Sequence, residues 1–353
     1  MMPFHGHGAG GDVRPQVAIV SRDAHGHTGS INKIVDHAQR MVELGWSVTL
    51  ITEDADPRLT SWGIAVRKVS RFFSFSRQQR QRRFCDQAQA MCSAAHFDMV
   101  IGHGDVWTQD VLHLHNCVHL EHEKVEGRPL PPTEKMGNFH AGLLQKGHFR
   151  TVIANSYKMK ADLMTRWGIP AEKIEVVHPG YHPIRFTSAA RMALRPSIRQ
   201  ELGLEENKVV VGLITSGCFK KRGLDTLIAA IGAMEPHLRQ GILVLVVGSD
   251  HQRAHWNHLA TASGLNTSQM RFLAPRADVE RLYHALDIYV HAGFDEFGQC
   301  AQEAICCGVP VVLSDAVGMV ERLPSRDFVV PHGDTRALTA ALTHLLVNPP
   351  RRV

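Results

Sequence analysis

The chain has 353 residues, 44% of them apolar and 21% charged, which is enough for two domains of ordinary size with cores of their own. No apolar run approaches the roughly 20 residues needed to span a bilayer, and the leader MMPFHGHGAGGDVRPQ lacks the apolar stretch of a secretory signal. A net charge of +5 favours anionic partners: a phosphorylated substrate, acidic lipid or nucleic acid. The seven cysteines (Cys85, Cys92, Cys117, Cys218, Cys300, Cys306 and Cys307) lack paired C-x-x-C spacing and read as small buried hydrophobes of a cytoplasmic protein.

Residues 1–14 read as a disordered leader. Gln16 to Val20 is a run of strand length, followed by a Gly- and His-bearing loop from Ser21 to Gly29. A helical pattern then spans Ile31 to Leu44 and stops at Gly45, and Ser47 to Thr52 is the next strand, a βαβ opening that predicts a parallel sheet. Between Arg71 and Phe84 lie five arginines, four phenylalanines and no acid, a composition suited to an anionic bilayer surface or to a loop and helix start with core phenylalanines. Further strands are predicted at 64–69, 99–102, 111–114 and 151–154. Asn155-Ser156 caps a helix to Trp167, and 174–177 leads into His178-Pro179-Gly180.

Thr187 to Leu202 is basic, helical and without strand pattern, which places a linker at 187–207 between a first domain at 15–186 and a second at 208–353. The second alternation predicts strands at 209–214, 242–247, 270–273, 288–291 and 311–313, with helices near 224–234, 256–264, 279–285 and 337–347. Two such α/β domains in tandem put a ligand in a cleft between them.

The most informative stretch is Phe294 to Val312, FDEFGQCAQEAICCGVPVV. Its acidic pair, Asp295 and Glu296, passes through Phe297-Gly298 to a second carboxylate, Glu303, which the pattern places in the first turn of a helix, beside free backbone N–H groups that can hold an anion. That arrangement suits a phosphorylated, hydroxyl-rich ligand; a capped amphipathic helix without a ligand is the plainer reading. Lys220-Lys221-Arg222-Gly223 follows a strand and precedes a helix, a place for a pyrophosphate grip or for a solvated charge run.

Asp295-x7-Glu303 followed by Ala304 and Gly308-Val309-Pro310-Val311-Val312 resembles the E-x7-E signature of retaining family-four glycosyltransferases, E-P-F-G-x-x-x-x-E-A-x-x-x-G-x-P-V-V. Asp295 stands where that family has Glu, and Glu296 where it often has Pro. The order of elements resembles the family's GT-B fold, two Rossmann-like domains with parallel sheets facing a central cleft. Phe219 to Asp225, Val246 to Asp250 and Arg276-Ala277-Asp278 are similar to the lipopolysaccharide-core transferases that add glucose to an inner-core heptose. Such chains usually continue into a helix that crosses back onto the first domain, whereas this sequence stops at Pro349-Pro350-Arg351-Arg352-Val353.

The resemblance implies a retaining hexosyltransferase that uses a nucleotide-diphosphate sugar such as UDP-glucose, with no metal or other cofactor. The implied catalytic residues are His115, Asn116, Asp295, Lys221 and Arg222. The implied donor-binding residues are Gly29, Gly180, Gly217, Lys221, Arg222, Gly248, Ser249, Arg276, Asp295, Glu296, Phe297, Gly298 and Glu303. Within this set His115 would bond the donor sugar, Arg276 would lie along the uracil and Glu303 would bond the ribose hydroxyls. Glu321 matches a frequent family acid of no settled role. A metal reading of His113, His115, His119 and His122 is open from the residues alone, although the resemblance implies none.

The implied partners are the nucleotide-sugar donor, a lipid-linked or lipopolysaccharide-core acceptor and the anionic inner membrane surface, but no nucleic acid. A nucleotide-sugar-binding protein with little turnover is the alternative. A dinucleotide oxidoreductase is disfavoured, because the first turn reads G-H-T-G-S-I and not G-x-G-x-x-G.

Overall fold

The structure, a computed structural model, describes residues 14–25, 29–71 and 76–348. The leader and Thr28 lie outside these residues, as do Phe72 to Phe75 and the last five positions. In chain order the elements begin β1 (Gln16–Val20), β2 (Asp23–Ala24), α1 (Gly29–Glu43), β3 (Ser47–Thr52), β4 (Asp54–Ala55), β5 (Ala65–Lys68) and α2 (Arg77–Ala94). They continue through β6 (Met99–Gly102), β7 (Val111–His113), α3 (Val118–Glu126), α4 (Lys135–Lys146), β8 (Thr151–Ala154), α5 (Tyr157–Trp167) and β9 (Ile174–Val176). After α6 (Arg191–Glu201) come β10 (Val209–Gly217), α7 (Leu224–Gly232), α8 (Pro236–Gln240), β11 (Ile242–Ser249), α9 (Arg253–Ala262) and β12 (Met270–Leu273). The last are α10 (Val279–Ala285), β13 (Ile288–His291), α11 (Gln299–Cys306), β14 (Val311–Ser314), β15 (Val329–Val330) and α12 (Thr335–Val347).

The chain divides into two compact units, one made of the residues up to Leu114 together with Lys135–Ile153, the other of His115–Glu134 and Ala154 onward. The first unit orders its strands β5-β3-β1-β6-β7-β8, and their pairings are parallel. The alternating sides of β1 feed two cores: Val17 and Ile19 pack with Ile34, Leu50 and Ile64, whereas Ala18 and Val20 pack with Ile51, Phe84 and Val106. Burial on both faces is why this strand reads as a continuous apolar run.

The second unit has a six-stranded parallel sheet, β12-β11-β10-β13-β14-β15. Along β10, Val211 and Leu213 pack with Leu227, Ile228 and Trp256, while Val210 and Ile214 pack with Leu245, Tyr289 and Ala301. The order reverses at β10, which has β11 on one side and β13 on the other. In open α/β sheets the crevice outside the carboxyl ends of such strands is where ligands bind.

The basic segment read as helical does form a helix, α6, and it is docked against α10. Arg191, Arg195 and Arg199 recur every four residues along α6, so they share one face. From it Arg191 and Arg195 donate to the carbonyls of Tyr283, His284 and Leu286 at the end of α10, and Arg199 donates to that of Ala285. Arg195 and Arg199 also pair with Asp287 at 2.6 and 3.2 Å. Cations here satisfy carbonyls at a helix C-terminus and oppose its dipole.

The basic, aromatic stretch divides as well. Phe84 is core, Arg80 pairs with Glu53 at 2.5 Å and Arg71 with Asp54 at 2.6 Å, while Arg82 and Arg83 are exposed. The cysteines are free, and Cys85, Cys92, Cys117 and Cys307 are buried. Among the described residues no helix is long and apolar enough to cross a membrane.

Candidate functional site

Two loops leave the carboxyl ends of the neighbouring strands β10 and β13, and backbone hydrogen bonds lace them together. Gly293 N–H donates to the Arg222 carbonyl at 3.0 Å and Phe294 N–H to that of Lys221 at 2.8 Å. The approach is so close that a Cβ on Gly293 would lie 2.1 Å from the Lys221 carbonyl oxygen. Only glycine permits it. Basic turn and acidic loop, some seventy residues apart in sequence, thereby form one structure.

The side chains pair across this seam. Arg222 Nη1 donates to Asp295 Oδ2 and, at 3.1 Å, to the Phe294 carbonyl; Nε reaches Thr215 Oγ1 at 3.3 Å. Lys221 Nζ lies 3.0 Å from Glu296 Oε2 and 2.7 Å from Glu121 Oε2 on α3, with its ammonium over the Phe294 ring. Glu296 Oε1 accepts from the Cys117 N–H at 3.2 Å, and its carbonyl accepts from Ser156 Oγ at 2.6 Å. Ser156 also caps α5 by accepting from Met159 N–H, as the Asn-Ser pair predicts.

The charge balance explains the titration of the cluster. Burial opposes ionisation of Lys221, but Glu296 and Glu121 outweigh it and raise its pKa. Burial opposes ionisation of Asp295 too, yet the charges of Arg222 and Lys221 and the Phe297 N–H hold its pKa below the ordinary value. Three carboxylates surround two cations, and the surplus negative charge falls on Glu296. Its pKa is raised by burial and by the repulsion of Asp295 and Glu121, with Lys221 opposing. Behind them His291 is 1% exposed, and burial pushes its imidazole down to about 3, so it stays neutral.

Glu303 requires a correction. The helix begins at Gln299, with Gly298 in the left-handed region (φ 94°) as its N-cap, so Glu303 falls in the second turn and not the first. Its carboxylate accepts from the Tyr283 hydroxyl at 2.7 Å and does not cap its own helix. Burial pushes its pKa up to about 7, with the Tyr283 bond opposing. A Cβ on Gly298 would meet Val317 at 2.6 Å, and Phe297 is 2% exposed, so this Phe-Gly pair is built into the core.

The remaining expected residues distribute as follows. Gly217 pairs in register with Ser249, and Gly248 packs on Thr215, so these three line the ends of β10 and β11. His115 and Asn116 precede Cys117, the N-cap of α3, which reaches Glu296, while Glu121 on α3 reaches Lys221; Asn116 is exposed. Gly180 is exposed, two residues after His178, whose ring lies 5.7 Å from that of Phe297 and pairs with Glu321. Glu321 also accepts from the Tyr157 N–H at 3.0 Å, so it clamps two loops. Arg276 is engaged at 2.7 Å with Asp278 and 2.8 Å with Glu201. Gly29 belongs to the first unit, where it opens α1.

Among the described residues, the histidines brought within metal-binding reach of one another are not those of the H-L-H stretch. His113 lies with His37 and His103, whereas His119 packs edge-on against Trp167. Sequence reading missed Glu121, Gly293, Tyr283 and His291. A signal existed only for Gly293, the small residue where strand β13 turns into the acidic motif.

Two parallel-sheet units, one with a basic turn bound to an acidic loop at the point of strand reversal, define a Rossmann-like α/β protein of two units. The chain belongs to the family-four, GT-B glycosyltransferases: residues 31–185 match the family model described as Glycosyltransferase Family 4, and residues 208–348 the one described as Glycosyl transferases group 1. It is 27% identical over 336 residues to D-inositol 3-phosphate glycosyltransferase of Salinispora arenicola, covering 84% of this chain and 74% of that protein.

It is 28% identical over 181 residues to the lipopolysaccharide glucosyltransferase WaaG of Escherichia coli, 51% of this chain and 48% of that one. The crystal structure of WaaG superposes with a TM-score of 0.81 at 21% identity, over 95% of this chain and 92% of the other. Anabaena HepE, solved with UDP-glucose, superposes at 0.69 with 19% identity, over 94% and 90%.

Proposed function

We propose that the chain is a retaining hexosyltransferase that moves glucose from UDP-glucose to a glycan acceptor such as a lipopolysaccharide inner-core heptose. The observation that carries this reading is the pairing of Lys221 and Arg222 with Glu296 and Asp295 across the laced loops. A diphosphate arriving at the basic turn exchanges these carboxylates for phosphate oxygens. Negative charge then grows on the leaving group as the glycosidic bond breaks, and the two cations stabilise it.

The acceptor hydroxyl attacks the face from which the nucleoside diphosphate departs, through an oxocarbenium-like state, and the departing phosphate takes the proton. His115 and Asn116 bond the donor sugar, Asp295 lies beside it, and Glu303 accepts from the ribose hydroxyls. Gly180, Gly217, Gly248 and Ser249 line the donor's path, and Arg276 lies along the base. No metal takes part in this transfer. The likeness to WaaG, named as a glucosyltransferase, and to HepE bound to UDP-glucose supports the donor. Exposed Arg82 and Arg83 on α2 support an anionic membrane surface as the place of action.

A second reading keeps the chemistry and changes the acceptor to an inositol phosphate, favoured by the name of the Salinispora relative. A thermal-shift screen of nucleotide sugars, followed by transfer assays with heptose-bearing lipid-A core and with inositol 3-phosphate, separates the two. UDP-glucose is expected to stabilise the protein and to yield an α-linked product on the heptose acceptor. Absence of stabilisation by every nucleotide sugar would overturn both readings.

A further inference from the structure

Three histidines of the first unit converge from three elements. His37 lies in the middle of α1, His103 directly follows β6 and His113 ends β7. The imidazoles of His37 and His113 stack with centroids 5.1 Å apart, as do those of His103 and His113, and His37 and His103 are 6.4 Å apart. One ring nitrogen from each can be chosen so that all three lie within 4.8 Å of one another. We propose that His37, His103 and His113 form a binding site for a divalent late transition metal, zinc above all.

The chemistry of the donor set selects the ion. Three neutral imidazoles suit zinc, nickel, copper or iron and disfavour calcium and magnesium, which take oxygen. With zinc–nitrogen bonds of about 2.0–2.1 Å, tetrahedral ligand atoms stand roughly 3.3 Å apart, so the three nitrogens need to close by about 1.5 Å at most.

The backbone is well fixed for the purpose. His103 N–H donates to the Val20 carbonyl at 3.0 Å, extending the β1–β6 ladder, and His113 pairs in register with Ile153 of β8. His103 and His113 are 9% and 7% exposed, whereas His37 on the helix is more open and offers a route for the ion. Two ligands are thus held by the sheet and the third closes over them. Three protein ligands leave a fourth position for water or an oxygen ligand. Occupancy ties α1 to the carboxyl edge of the sheet.

The test uses the full chain, stripped with a chelator and titrated with cobalt(II) as a spectroscopic probe, then with zinc in competition. One equivalent of cobalt is expected to give the intense visible bands of a four-coordinate ion, displaced by zinc. H37A and H103N, each checked for native circular dichroism, are expected to weaken binding by about 10- to 100-fold, as loss of a ligand or its support does. The double variant H119A/H122A should bind as wild type does. A wild-type titration without four-coordinate bands, or undiminished cobalt affinity in both H37A and H103N, would overturn the site and leave three stacked, packed histidines. Neither result bears on the donor site, which the nucleotide-sugar assays test separately.

Discussion

Arg222 and Asp295 meet side chain to side chain although they stand on different loops, because β10 and β13 are neighbours at the point where the strand order reverses. Beside them Lys221 and Glu296 form the parallel pair at 3.0 Å. The site therefore holds both of its cations against carboxylates of the acidic loop.

Removing one member of the buried pair should reveal this dependence. Lys221→Ala leaves the Glu296 carboxyl buried without its cation, which is expected to cost about 3–5 kcal/mol. Adding Glu296→Gln should restore much of that loss. Urea denaturation of the two single variants and the double gives the coupling energy; strictly additive losses would show that the pair is not interacting.

Arg222 has a separate signature. Arg222→Lys keeps the charge but cannot hold Asp295, the Phe294 carbonyl and Thr215 together. Single-turnover rates are expected to fall by roughly 100-fold, the scale of losing one preorganised donor to a developing oxyanion. The melting temperature should change little. A rate equal to wild type would remove Arg222 from the leaving-group role.

The Glu303 carboxyl, with a pKa raised to about 7, supplies a pH dependence. If its ionised form accepts from the donor's ribose hydroxyls, donor KM should fall as pH rises from 6 to 8, and Glu303→Gln should flatten the profile. The stability effect has the opposite sign. Between the ordinary carboxylate pKa and about 7 the folded protein binds more protons than the unfolded one, so stability falls as pH rises through that window. Chemical denaturation at pH 5 and pH 8, wild type against Glu303→Gln, reads it directly.

Gly293 should tolerate no side chain. Gly293→Ala drives a Cβ into the Lys221 carbonyl and the Arg222–Gly223 peptide, which are backbone atoms that cannot rotate away. Overpacking of this kind costs about 1–3 kcal/mol, and separating the two loops should lower donor affinity as well. Unchanged calorimetric melting and unchanged donor binding would show that the loops can part without consequence.

Much of this fold was legible because its parallel strands are buried on both faces and so read as short apolar runs. β10, β11 and β13 stand where those runs stand. The caps were equally plain, since Ser156 before α5 and Gly45 after α1 follow local chemistry.

Tertiary pairing was not legible. Glu121 reaches Lys221 from a hundred residues away, and no local pattern marks it. The helix at α6 was legible but not what its arginines dock against, because the carbonyls they satisfy belong to α10. The H-L-H spacing suggested that His113 and His115 act together, whereas His113 meets partners from α1 and the end of β6. Glu303 was displaced by one turn because the left-handed Gly298 starts its helix earlier than the apolar pattern implied.

Isothermal titration of UDP-glucose into the wild-type chain, Arg222→Lys and Glu303→Gln tests most directly whether the basic turn and the acidic loop together hold an activated sugar. Saturable one-to-one binding to wild type, weakened at least tenfold in each variant, is the expected result. Equal affinity in all three proteins, or no binding to any, would contradict it.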